Sequence, residues 1–267
     1  MRASVARLLA RTQRPWRHAC LAAGLALLAA CNSKTDASAA LTAADADPAL
    51  VPAVYALVTY PAGSRVPADY LAQITAWNAT DLIRDVMVLG KGEKQLAQSG
   101  PQAAAFSSLA VLEFAGEEAF ALWAAQSKSR LGPDVQVRKA QLLVHDQVHP
   151  RSTQAFYAVN HYAALVPAPE YTQHSKQYVV PNLAHQMDAG VMSGYAMYLE
   201  QGAGDNVPRV VLVKEYVDEG AFVRANAIKQ AHEQVLSTDP QWRALDQTKT
   251  RVRTDLNQTL ATRVAVP

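Results

Sequence analysis

The phrase "EFAGEEAF" at Glu113–Phe120 returns as "EYVDEGAF" at Glu215–Phe222, 102 positions later. A recurrence of this length is the size of a small domain rather than of a solenoid repeat, so it points to a duplicated unit. Other matches keep the spacing. Tyr55-Ala56 meets Tyr157-Ala158 and Tyr60 meets Tyr162 at 102, and Asp69-Tyr70 meets Glu170-Tyr171 at 101. Agreement held over about 65 residues requires each half to build the same elements in the same order.

Hydrophobic periodicity supplies those elements. In the first half, strands are expected at Ala53–Tyr60, Phe106–Phe114 and Val135–His145. Tyr70, Ile74, Trp77 and Leu82 recur at helical intervals, which predicts a helix over Pro67–Leu89, and a second helix is expected over Gly116–Arg130. The second half repeats the order, with strands at Phe156–Leu165, Val191–Glu200, Arg209–Tyr216 and Thr259–Val266. Its helices are expected over Pro169–Met187 (interrupted by Pro181), Asp218–Leu236 and Pro240–Leu256. Each half therefore reads β-α-β(-β)-α-β, the split βαβ or ferredoxin-like arrangement of an α+β fold. The expected boundaries are one module at residues 53–148 and a second at 153–267.

Three features carry a resemblance: the aromatic-ended third strand running into Glu-x-Ala-Phe, the "DPQW" segment (Asp239 to Trp242), and the element order itself. Together they resemble the dimeric α+β barrel superfamily, which includes antibiotic-biosynthesis monooxygenase-like, haem-degrading and stress-responsive proteins. "PNLAH" (Pro181 to His185) and "GVMSGYAMY" (Gly190 to Tyr198) are similar to secreted bacterial members of unknown function. The resemblance implies two fused ferredoxin-like modules that pair their sheets as a pseudo-dimeric barrel within one chain.

Residues 1–18 carry five arginines and no acid, and the apolar run "ACLAAGLALLAAC" follows, ending at Cys31. A basic segment followed by a run too short to span a bilayer is a secretory signal pattern. "LAAC" (Leu28 to Cys31) resembles the lipobox of bacterial lipoproteins, which implies a signal peptide over 1–30 and a lipid on Cys31. An ordinary secretory signal that happens to contain Cys is the plainer alternative. Residues 31–52 are small and polar and read as a flexible tether. Asn32, by resemblance to enterobacterial lipoproteins, favours the outer membrane, facing the periplasm. The expected partner is thus the membrane itself, through acyl chains that each contribute about 0.8 kcal/mol per buried methylene.

Removing the five signal arginines turns the formal charge of +2 into a balance of 20 basic against 23 acidic residues. No basic block remains to suggest nucleic acid. Cys20 and Cys31 are the two cysteines, and with Cys31 given to lipid no disulfide is expected. Glycine-rich phosphate loops, the Gly-x-Ser-x-Gly elbow and a free nucleophilic thiol are all missing from the sequence.

The candidate chemistry is sparse. Glu113 and Glu215 share the period-two face of their strands with Leu109, Val111, Val211 and Val213. Buried there, a carboxyl group gains a raised pKa and a possible acid–base role; at a strand end open to solvent it does neither. Glu117 and Glu219 fall in first helical turns, with Asp218 as N-cap, where the helix dipole explains them. Six histidines lie beyond the signal. His174 and His185 are spaced to share a helix face with Tyr178, His161 shares a strand face with Tyr157 and Val159, and His145 and His149 flank the junction of the halves. The expected ligand site is His161, His185, Tyr195 and Glu215 lining the barrel interior, for an anionic small molecule, a haem or a metal. No metal-ligand spacing supports the last, and no cofactor is identified. Two readings of function remain open. One is a lipid-anchored envelope protein that binds a small ligand or a protein partner. The other is a monooxygenase-like or haem-handling enzyme with its site in the second half.

Overall fold

The first strand, β1 (Val54–Pro61), reads VYALVTYP, apolar on both of its faces. A strand so written must be covered on both sides. In the computed structural model it is: Tyr55 and Leu57 face a barrel interior, while Val54, Ala56, Val58 and Tyr60 face a layer of helices. The structure describes residues 53–92, 105–127, 129–148, 152–201 and 207–266.

The other strands are β2 (Ile83–Lys91), β3 (Phe106–Phe114), β4 (Gln136–Gln147), β5 (Phe156–Ala164), β6 (Met192–Glu200), β7 (Arg209–Tyr216) and β8 (Arg253–Arg263). They close into one antiparallel barrel in the order β1-β3-β2-β8-β5-β7-β6-β4. Within that ring β1–β4 stand as β4-β1-β3-β2 and β5–β8 as β8-β5-β7-β6, the same local order twice. The halves join at two seams. β4 pairs with β6 from Ala140–Glu200 to Gln147–Gly194, whereas β2 and β8 pair only at Leu89–Arg263, Gly90–Thr262 and Lys91–Ala261.

The interior is filled by side chains of both halves, among them Leu57, Leu89, Phe106, Leu109, Val111, Tyr157, Val159, Val211 and Val213. Outside, α1 (Tyr70–Asn78) and α2 (Glu117–Ser127) cover the first sheet. The second is covered by α3 (Ala168–His174), α4 (Val180–Asp188), α5 (Glu219–Leu236) and α6 (Pro240–Val252). Helix starts follow their capping residues. The Asp218 carboxylate accepts the Ala221 N–H at 2.6 Å, and Asp239 accepts the Gln241 N–H at 2.8 Å with Pro240 opening the helix behind it.

Three expectations need correction. The helix predicted over Pro67–Leu89 ends at Asn78, and its second part is strand β2; Val86 and Val88 are β-branched and alternate with exposed Asp85 and half-buried Met87, a period of two rather than 3.6. The helix predicted over Pro240–Leu256 stops at Val252, so the closing strand starts at Arg253, not at Thr259. Pro181 does not interrupt its helix. A π-turn over Ser175–Val179 joins α3 to α4 without a break, and the proline sits in the first turn of α4. The widened turn relieves the clash between a proline ring and the carbonyl four residues earlier. Cys31, the tether and His149 lie outside the described residues. Among the described residues no helix is long and apolar enough to cross a membrane.

Candidate functional site

The two halves differ most between sheet and helices. In the first half the middle of that space is packed with aromatic rings, while a groove of about 730 Å³ opens at its edge beside Val54, Leu122 and Lys139. Trp123 of α2 meets Trp77 of α1 edge-on at 5.5 Å between ring centroids and Phe114 at 5.2 Å, with Phe120 alongside. Beneath them the sheet presents Val58, Leu112 and Val137, and Tyr60 turns its O–H to the Leu131 carbonyl at 2.7 Å.

Strand register identifies the matching positions in the second half. Val58 pairs with Val137 across β1–β4 as Asn160 pairs with Gln258 across β5–β8; Ala56 pairs with Leu112 as Ala158 pairs with Lys214. The three apolar sheet residues are thus replaced by Asn160, Gln258 and Lys214. Ala225 stands 102 positions after Trp123, so the plugging indole is gone. What remains is a cavity of about 730 Å³ between the sheet and helices α4 and α5.

Its lining is polar, cationic and aromatic. Lys214 and Arg253 rise from the sheet and Lys229 descends from α5. Lys229 pairs with Glu233 at 3.5 Å, and Arg253 pairs with the largely exposed Asp255 at 3.3 Å while its guanidinium stacks 4.3 Å over the Tyr162 ring. Among the described residues no ion pair is formed by Lys214, whose ammonium lies 6.0 Å from the Tyr216 ring centre. Enclosure in protein pushes its pKa down to about 8, and the charges of Lys229 and Arg253 push the same way. Gln258 donates to Asn160 at 3.3 Å, and Tyr178 donates to Asp246 at 2.6 Å while stacking on Trp242. A chamber with three cations against Glu233 and Asp255, walled by Tyr162, Tyr178, Tyr216 and Phe222, suits an anion with an aromatic body.

A smaller cavity, about 310 Å³, opens at one mouth of the barrel. Here the repeated residues of the two halves converge: Tyr55 lies opposite Glu113 across β1–β3, and Tyr157 opposite Glu215 across β5–β7. Tyr55 shares a hydrogen bond with Glu113; burial first, then the Glu113 charge, pushes the phenol up to about 12. Glu215 is 6% exposed and accepts a hydrogen bond from the Ser193 hydroxyl at 2.9 Å. Ser193 occupies a bulge in β6, next to Gly194, where an added Cβ would come 3.1 Å from the Asp146 carbonyl. Both glutamates therefore sit at the strand ends, inside the barrel mouth. Among the described residues no group of three or more His, Cys, Asp and Glu is placed to hold a metal ion.

The expected site residues do not all meet. Tyr195 and Glu215 line the barrel mouth together. His161 faces the barrel interior further along β5, beside Phe106 at 6.3 Å between rings, and its Nδ1 has no hydrogen-bond partner. Burial pushes His161 down to about 4, against a smaller upward effect of Asn257. His185 is not in the barrel. It belongs to the helix layer, stacked on His232 of α5 at 4.0 Å. Of the face expected to hold His174, Tyr178 and His185, His174 does pack on Tyr178 and approaches the Leu245 carbonyl at 3.5 Å, whereas His185, beyond the π-turn, stacks on His232. His145 is exposed, as expected. Lys214 and Arg253 escaped the sequence reading, although aligning the halves at 102 sets Lys214 against Leu112, a charge against a core residue.

Neither a protein-family model nor a curated protein matches this chain. Solved structures do. An anthrone oxidase-like protein is 9% identical, with a TM-score of 0.51 over 80% of this chain and 91% of that one. A candidate monooxygenase from Lactobacillus acidophilus NCFM is 8% identical, TM-score 0.47, over 79% of this chain and 94% of the other. A haem-degrading enzyme from Listeria monocytogenes is 10% identical, TM-score 0.35, over 78% and 98%. At 9% identity the likeness to the anthrone oxidase-like protein is one of fold alone, and the fold is the closed eight-stranded barrel with helices outside described above.

Proposed function

We propose that this chain captures a small anionic organic molecule with an aromatic body in the sheet–helix cavity of its second half. The observation that carries the reading is the exchange of Trp123, Leu112, Val58 and Val137 for Ala225, Lys214, Asn160 and Gln258 at matching places. Lys214 is half-buried and forms no ion pair among the described residues, and partly desolvating an unpaired charge is costly. A bound carboxylate would supply the missing counter-charge.

We further infer that the barrel is a fused pair of ferredoxin-like modules, 53–148 and 153–267, derived by duplication. The matched strand orders and the sequence offset near 102 support this. Lipid on Cys31 and an outer-membrane station facing the periplasm remain part of the proposal and rest on the signal pattern alone. Mass measurement of the protein extracted from membranes tests the lipid; an unacylated Cys31 would remove the anchor from the account.

A monooxygenase-like activity is the second reading. Its support is the fold shared with the anthrone oxidase-like protein together with the tyrosine-walled cavity. Haem is a poorer fit. The cavity lining carries no histidine, cysteine or methionine, Tyr178 is committed to Asp246, and His185 is stacked on His232. A thermal-shift screen with benzoate, naphthoate and haemin tests these readings together. Stabilisation by naphthoate that disappears in Lys214→Met supports anion capture. A haemin Soret shift abolished by His185→Ala, with naphthoate inert, would replace it with the haem-handling reading.

A further inference from the structure

The phrase that recurs after 102 positions also builds a place that anion capture does not use. At the mouth of the barrel Glu113 and Glu215 stand in matching positions, each across from a tyrosine of the neighbouring strand, and line the cavity of about 310 Å³. The pattern breaks beside them. β2 and β6 each bulge opposite that glutamate, with Arg84 and then Asp85 in β2 but Ser193 and then Gly194 in β6. The bulge beside Glu215 thus offers a neutral hydroxyl where the one beside Glu113 carries an arginine.

This leaves Glu215 with an incomplete environment. Its side chain is 6% exposed, and its Oε1 accepts the Ser193 hydroxyl at 2.9 Å. Among the described residues no donor reaches Oε2 and no cation pairs with the carboxylate. Burying a carboxylate without a counter-charge is costly. The surroundings add to the charge rather than balance it: half-buried Glu113 and exposed Asp85 and Asp146 line the same cavity, and none forms an ion pair among the described residues. The nearby cationic groups are Arg84 and, when protonated, His145, both exposed. The walls are aromatic. Tyr55 and Tyr198 lie 5.2 Å apart between ring centroids, and Tyr157 and Tyr195 line the cavity with them. Because the described acids are not grouped to hold a metal ion, the arrangement suits a larger cation.

We propose that the barrel mouth binds a small organic ammonium ion, its N–H groups donating to Oε2 of Glu215 and its apolar body lying against the tyrosine rings. A charge-assisted hydrogen bond holds the nitrogen, and the electron-rich ring faces favour the positive end of the ligand. The site is independent of the sheet–helix cavity, with which it shares no lining residue.

Calorimetric titration of the full chain with phenethylammonium, near neutral pH and at low ionic strength, tests the proposal. Saturable binding is expected. It should be at least tenfold tighter than for 2-phenylethanol, which lacks the charge, and than for tetramethylammonium, which lacks the N–H donors. Glu215→Gln keeps the shape of the side chain and should lower the affinity at least tenfold, whereas Glu170→Gln, on an exposed helix turn, should leave it unchanged. If Glu215→Gln does not fold, Glu113→Gln takes its place, with a several-fold loss expected from removing the other repeated charge. Equal losses in Glu170→Gln, or equal affinity for tetramethylammonium, would reduce the effect to diffuse attraction and overturn the proposal. Calcium binding that excludes phenethylammonium would make the mouth a metal site and overturn it too, as would the absence of saturable binding.

Discussion

The two halves of the barrel share strand order, register and the aromatic-to-Glu-x-Ala-Phe phrase, yet they line the middle of the space between sheet and helices differently. The first half fills it with Trp77, Phe114, Phe120 and Trp123. The second leaves about 730 Å³ and lines it with Lys214, Arg253 and polar amides. The second half keeps an apolar core of its own, with Tyr171, Leu183, Val210, Ala221 and Leu260 buried together, and opens its chamber beside that core. Function is expected where the repeat breaks its own pattern.

That comparison can be broken at Trp123. Its indole is 1% exposed and touches three other aromatic rings, so Trp123→Ala should cost roughly 3–5 kcal/mol of stability in a urea titration. A loss below about 1 kcal/mol would mean that the first half is not the structural one.

Acid sensitivity comes next in size, from inside the barrel. His161 is held neutral in the fold, with its pKa lowered from 6.5 to about 4 by burial, so the unfolded chain binds the proton first. Stability is therefore full above about pH 6.5 and falls as pH drops towards 4, by roughly 3 kcal/mol if His161 acts alone. His161→Phe should flatten that slope in denaturation curves recorded across the window. An unchanged slope would assign the acid sensitivity to other groups.

Lys214→Met separates the functional half from the structural one. Naphthoate affinity should fall at least about tenfold, the worth of one charge-assisted hydrogen bond of roughly 1.5–3 kcal/mol, while the melting temperature holds or rises. A rise fits the relief of a desolvated charge. Parallel losses of stability and binding would instead make Lys214 structural. The smallest effect belongs to a feature outside the cavity: Asp218→Ala should cost about 1 kcal/mol by removing the cap on Ala221. Binding should survive it.

Much of the architecture was legible from periodicity and from the repeat. β7 matches the expected Arg209–Tyr216, and α5 begins one residue after the expected cap, because strand alternation and capping act over a few neighbouring residues. Errors arose where local signals conflict. Leu82 falls at helical spacing from Trp77 and extends a helix on paper, but Ile83, Val86 and Val88 favour a pleated strand once β3 is there to pair with. The candidate site was legible only in part. Glu215 and Tyr195 do share a cavity, but His185 belongs to α4 and so to the helix layer outside the barrel, where it stacks on His232. The importance of Lys214 depends on which face of β7 meets the helices, and that follows only from the closed barrel.

The most direct test reverses the difference between the halves. Ala225→Trp puts the indole of the first half into the cavity of the second, and the fluorescent aromatic anion 1-anilinonaphthalene-8-sulfonate reports whether the chamber remains. With a native near-ultraviolet circular dichroism spectrum retained, the account predicts saturable dye binding to the parent protein and its loss in Ala225→Trp. Equal dye affinity in the two folded proteins would contradict it.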